Sequence, residues 1–210
     1  MAVHGHPHPH ARNRFSFRLK DRTAARFRTA SADHALAMSP TLGRTLAGLR
    51  LVTAFTFLWA FFDKTFGWGY STHASEGWID GGSPTKGFLS GVAAGPMEST
   101  FHDWAGDTWA DWLFMLGLLG IGLALATGVA LRLTAMAGTT LMALMWLAEW
   151  PPAKHLSDGT PSASTNPLID YHVVYAAVLI AVAVAGAGRV WGLGRLWERL
   201  PFIGDRRWLR

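Results

Sequence analysis

The stretch from Trp112 to Glu149, WLFMLGLLGIGLALATGVALRLTAMAGTTLMALMWLAE, decides the fold. No charged side chain occurs from Trp112 to Leu131 or from Leu133 to Ala148, and only Arg132 separates the two runs. At about 1.5 Å per residue, each run as a helix reaches roughly the 30 Å of a bilayer's hydrocarbon core, or a little less. A soluble helix of this length carries a polar stripe where one face meets water. Here the apolar residues run all the way round. The pair therefore predicts a transmembrane hairpin with a tight turn near Thr127 to Arg132. The alternative, a hairpin buried in a soluble core, would need more surrounding chain than 210 residues supply.

Composition narrows the chemistry. Half the residues are hydrophobic and 16% are charged, with the charges gathered at the ends and in loops. Cysteine is absent, which removes disulfides, thiolate metal sites, iron–sulfur clusters and covalently attached haem. The formal charge of +5 comes mainly from basic termini beside apolar helices, a placement that suits anionic lipid and predicts no nucleic-acid partner. There is no Gly-rich phosphate loop, no G-x-S-x-G and no H-E-x-x-H.

Residues 1–40 read as a disordered basic tail. MAVHGHPHPH alternates His with small residues and Pro, and Arg12 to Arg28 follow, interleaved with Phe15, Phe17 and Phe27. Weak metal chelation by the histidines is the alternative to a plain flexible end, and no metal site is expected. No apolar run lies near the start, so no cleavable signal peptide is expected. Residues 41–189 form the membrane domain, with spans about 45–66, 111–131, 132–150 and 168–188. Arg50, near the start of the first span, is either an interfacial anchor or a fixed cation facing the bundle. Residues 67–110 make a long, acidic exterior segment with many tryptophans, whose Gly and Pro content predicts turns and short helical pieces in place of one long element. The small residues Gly120, Ala124 and Gly128, and again Ala177, Ala181 and Ala185, recur every four positions and predict close helix contacts. Residues 190–210 read as a basic amphipathic tail holding an interfacial helix, with Leu193, Leu196, Trp197 and Leu200 on one face.

Lys and Arg number nine up to Arg50, one in the hairpin turn and six after Gly188, against three in the other two loops. The positive-inside rule then predicts a multi-pass protein of the cell membrane with both termini cytoplasmic. That topology gathers Asp63 and Lys64, Asp111, Glu149, and Asp170 with His172 at the outer rim. Opposite charges shielded from water should pair, so Lys64 is expected beside Glu149 or Asp170, with His172 as a proton carrier. The rim is read either as a polar cap on the bundle or as a working site. The candidate catalytic residues are Lys64, Glu149, Asp170 and His172. A flat apolar ring such as a quinone is expected among Arg50, Trp59, Asp63, Trp146 and Tyr175.

Taken together, RLVTAFTFLWAFFDKTFGWG, WIDGGSPTKGFLSG, DWLFMLGLLGIGLAL, the GVALRL turn, NPLIDYHVVYAAVLI and GAGRVWGLGRLWERLP resemble the DoxX-like membrane proteins, in particular the DoxD type. The likeness covers about Leu46 to Pro201, and Lys154 to Thr165 forms a longer loop than that family leads one to expect. The resemblance implies an all-α, integral membrane four-helix bundle tied to quinone-coupled sulfur oxidation, as in the large subunit of thiosulfate:quinone oxidoreductase. The chain itself has no evident electron carrier, so a small partner subunit or redox enzyme is expected beside membrane lipid, and a homo-oligomer is compatible. The alternative is a non-catalytic membrane scaffold for redox enzymes. A small-solute transporter is disfavoured by the lack of repeated halves or broken spans.

Overall fold

The computed structural model describes residues 1–2 and 39–204; the His-rich stretch and the Arg/Phe stretch after it lie outside the described residues. Helix α1 spans Pro40–Phe66, α2 Lys86–Ser90, α3 Glu98–Trp104, α4 Thr108–Thr127, α5 Leu131–Glu149, α6 Tyr171–Val184, α7 Gly194–Trp197 and α8 Pro201–Gly204. Among the described residues there is no strand, only one isolated bridge between His155 and Pro161. Helix α1 opens on proline, whose fixed φ suits a first helical position, and Ser39 Oγ accepts from the Leu42 N–H at 3.2 Å. The hairpin turn is shorter than expected. Gly128, at φ +75°, returns its N–H to the Ala124 and Leu125 carbonyls, and α5 begins three residues later.

Three helices, α1, α4 and α5, are long and apolar enough to cross a membrane. Their outer faces are as apolar as their inner ones: Val52, Leu113, Leu116 and Met136 are each more than half exposed, whereas Arg50, Asp63, Asp111, Thr134 and His172 are buried. A water-soluble protein would arrange these the other way round. The distribution is compatible with a multi-pass membrane protein. The fourth apolar helix, α6, has 14 residues, fewer than the stretch 168–188 expected of it. Asp170 caps its start and Gly186, at φ +61°, follows its end.

One apolar core draws on α1 (Ala54, Phe57), α4 (Met115, Leu118, Ile121, Leu125), α5 (Leu131, Ala135, Met142) and α6 (Leu179, Val182, Ala183). Of the expected ridge, Gly128 makes a close approach, to the Gly188 backbone, and the other close approaches fall on glycines outside it. A Cβ on Gly122 would meet Leu58 Cγ at 2.7 Å, so α1 and α4 touch there, while Gly120 faces open space. Ala177 and Ala181 are exposed too, and it is Leu179 of α6 that packs against Gly138 of α5.

The segment 67–110 holds turns and short helical pieces, as its glycines and prolines lead one to expect. Beyond α2 and α3 it holds two 3-10 turns, Ala74–Glu76 and Trp78–Asp80. Val92 and Phe101 form a small second core with Ala148 at the end of α5. Two buried aspartates fasten it. Asp63 accepts from the Tyr70 and Ser71 N–H groups at 3.2 and 2.9 Å and from Ser71 Oγ at 2.7 Å. Asp111 accepts from Thr85 N–H at 3.0 Å and from the hydroxyls of Thr85 and Ser83 at 2.6 and 2.9 Å.

The opposite end is held by a cation. Arg50, fully buried, donates from Nη1 to the carbonyls of Leu125 and Ala126 (2.9 Å to the latter) and from Nη2 to that of Trp191 at 2.8 Å.

Two outcomes check this packing. Gly122→Ala is expected to lower stability by roughly 1–3 kcal/mol through overpacking against Leu58, while Gly120→Ala is neutral or better, as read by thermal unfolding in detergent. Asp63→Ala strands three donors and should cost roughly 3 kcal/mol, exposing residues 67–72 to limited proteolysis that leaves the parent protein intact.

Candidate functional site at the Glu149 end

The site forms where the C-terminus of α5 meets the N-terminus of α6. Asp170 is the N-cap of α6. Its Oδ1 accepts from the Val173 N–H at 3.1 Å, which leaves Oδ2 to face His172 Nδ1 at 2.8 Å. One carboxylate thus starts the helix and orients the imidazole. Glu149, the last residue of α5, brings Oε2 within 3.9 Å of the same nitrogen. Its other oxygen, Oε1, accepts from the Tyr171 hydroxyl.

His172 is 1% exposed, and its Nε2 is a buried atom with no partner. The hydrogen bond to Asp170 places a proton on Nδ1 of the neutral ring, so Nε2 carries the lone pair. Donor atoms of Glu149, Asp170 and His172 lie within 4.8 Å of one another. A metal could bridge them only by replacing the His172–Asp170 hydrogen bond, so the arrangement as it stands is a carboxylate–imidazole dyad.

A cleft of about 530 Å³ opens beside the dyad. Phe88, Val92, Ala148 and Ile169 supply apolar wall, and Glu149, Asp170 and Tyr171 reach it from the helix ends. Its two rims are loops tied together: Ser157 donates from both N–H and Oγ to the Ala93 carbonyl, at 2.7 and 2.9 Å. The second loop is pinned internally as well. Ser164 Oγ donates to the Pro151 carbonyl at 2.7 Å, and Asn166 Oδ1 accepts from the N–H groups of Leu168 and Ile169. Hydrogen bonds from the Thr160 hydroxyl and N–H hold the Asp158 carboxyl below the usual carboxylate range. The only ionisable carboxylates or cations lining the cleft are Glu149 and Asp170. It repels anions.

Of the candidate catalytic residues, Glu149, Asp170 and His172 come together and Lys64 does not. Lys64 Nζ lies over the Phe114 ring, 5.9 Å from its centroid, and makes no ion pair with Glu149 or Asp170. The physical reason is α1's register: the residue that points to the outer cap is Asp63, which leaves Lys64 against α4. The quinone candidates are dispersed. Arg50 sits at the other end, about 20 Å along α1 from Asp63. Trp59 meets Trp68 at a tilt and Tyr70 edge-on, ring centroids 5.4 and 5.0 Å away, beside the loop that Asp63 holds. Trp146 donates from Nε1 to the Leu168 carbonyl at 3.1 Å, and Tyr175 packs edge-on to Phe57.

Tyr171, which the sequence marks only as one of the aromatic residues near the rim, is the hydrogen-bond donor that the site adds. Its signal was the run Asp170-Tyr171-His172 at a helix start, where three polar groups in succession reach both the cap and the facing helix end. Comparison with family models, with curated proteins and with solved structures yields no match for this chain.

Proposed function

We propose that the chain is a DoxX-like four-helix membrane protein with both termini cytoplasmic, and that it serves as the membrane subunit of a quinone-linked oxidoreductase. In this reading the Asp170–His172 dyad supplies protons at the outer cleft. The single observation that carries it is His172, whose Nδ1 is committed to a carboxylate and whose Nε2 is buried and unpartnered. An imidazole so oriented takes and gives a proton at Nε2 without moving. The cleft beside it has the size and apolar wall of a small-molecule site and suits a neutral ring headgroup.

Reduction of a quinone to its quinol takes two electrons and two protons. The protons are assigned to the dyad, refilled from the cleft. The electrons come from a reduced sulfur donor bound by a partner subunit, because the acidic lining opposes entry of a dianion such as thiosulfate. A non-catalytic scaffold is the second reading. It is favoured by Arg50, Asp63 and Trp146, whose side chains each hold backbone in place.

Quinone reduction is to be followed in proteoliposomes with thiosulfate as donor, with and without co-purified partner. His172→Gln is expected to lower kcat by about 100-fold, with thermal unfolding unchanged. Full turnover in that variant overturns the role of the dyad. No turnover by the parent protein with its partner leaves the scaffold.

A further inference from the structure

The end of the molecule opposite the cleft carries a second arrangement that this function does not use. After α6 the chain folds back onto the end of α4. Arg50 holds the Trp191 carbonyl, Leu193 N–H donates to the Thr127 carbonyl at 2.7 Å, and a Cβ on Gly194 would meet the Gly188 backbone at 2.7 Å. Trp191 adopts φ +51°, a conformation that costs a non-glycine residue free energy. That strain aims its carbonyl inward at Arg50 while the residue remains 61% exposed. The Arg189 Nε–Glu198 Oε1 pair, 2.9 Å apart, then clamps the next turn. The segment is therefore seated rigidly on the bundle.

What it presents is amphipathic. Leu193, Leu196 and Leu200 recur at helical spacing and are 53%, 64% and 47% exposed, so this apolar row faces away from the protein. Arg195 and Arg199, one turn apart, are exposed beside it, and neither makes an ion pair among the described residues. The nearby ends of α4, α5 and α6 expose Leu123, Leu133 and Val184, so the row continues an apolar outer surface. An apolar row at the edge of such a band, bordered by free guanidinium groups, matches the boundary between acyl chains and phosphates.

We propose that Trp191–Leu200 is a preformed docking site for an anionic phospholipid, with Arg195 and Arg199 on its phosphate and the leucines on its acyl chains. Its seat distinguishes it from a basic tail that samples the surface: the backbone carrying both arginines is held on the bundle before lipid arrives, so one lipid should be held through purification.

The full chain, purified in neutral detergent, is to be titrated with phosphatidylglycerol or phosphatidylcholine and followed by native mass spectrometry and thermal unfolding. Phosphatidylglycerol is expected to be retained and to raise Tm, and phosphatidylcholine is not. Arg195→Gln/Arg199→Gln should weaken retention by about tenfold or more, with lipid-free Tm unchanged, while Lys154→Gln at the other end retains lipid normally. Leu196→Ser, at a surface position, tests the apolar half should the double variant not fold, and should also weaken retention. Equal retention of both lipids, undiminished retention in the arginine and leucine variants, or an equal rise in Tm with inorganic phosphate overturns the proposal.

Discussion

A guanidinium with no exposure to solvent is the constraint around which the basic end is built. A charge removed from water is tolerable only where dipoles replace the lost hydration. Arg50 finds them in carbonyls at the C-terminus of α4, where backbone donors run short and the helix dipole is negative. Those orphan carbonyls need a donor as much as the cation needs acceptors. Because Nη2 reaches the Trp191 carbonyl, one side chain of α1 joins α4 to the segment after α6. Three elements far apart in sequence are held by one residue, which explains why glycines crowd the neighbourhood: any side chain at Gly128 or Gly188 would occupy the space that the backbones and the guanidinium share.

The other end applies the same rule with the sign reversed. Asp63, Asp111 and Asp170 are buried or nearly so, and each accepts from backbone N–H groups: two from the loop after α1, one from Thr85, one from the first turn of α6. Carboxylates on orphan N–H groups and a cation on orphan carbonyls are the two cheapest ways to keep ionised groups inside a low-dielectric bundle. They also order the loops, which is why the segment 67–110 is folded despite its glycines and prolines.

The helices were legible because twenty successive residues without a charge suit a bilayer and little else, and both hairpin helices lie within a few residues of their expected limits. The residues of the rim were legible as a group for the same reason: topology alone brings Glu149, Asp170 and His172 to one end. Their partners were not. Whether Lys64 or Asp63 faces the cap depends on the rotation of α1, a matter of one residue in 3.6, and α1 has apolar residues on all sides to leave that rotation unmarked. The glycine ridge was legible only in part: Gly128 is a contact and Gly120 is not. Gly120 and Gly122 are two residues apart and face different directions, and only the neighbour's Leu58 decides which is a contact. The turns and short helical pieces of 67–110 were legible in its glycines and prolines, but what fastens them was not: Asp63 and Asp111 read as rim charges, and they accept hydrogen bonds from that segment.

Glu149 and His172 stand apart from this scheme, and that is what marks the site. Glu149 ends α5, where the helix dipole disfavours a carboxylate, and it receives no backbone N–H, only the Tyr171 hydroxyl. His172 keeps one nitrogen unpartnered under nearly complete burial. Arg50, Asp63 and Asp111, which with His172 are the buried ionisable side chains among the described residues, are anchored to the main chain, so their placement follows from folding. Glu149, exposed, and His172, buried with one nitrogen unpartnered, lie side by side next to the large cleft. Groups held in unfavourable surroundings persist where the surroundings serve something besides stability. The same contrast separates Tyr171 from the interfacial tyrosines and tryptophans around it: its hydroxyl is aimed at a carboxylate that the fold does not otherwise need.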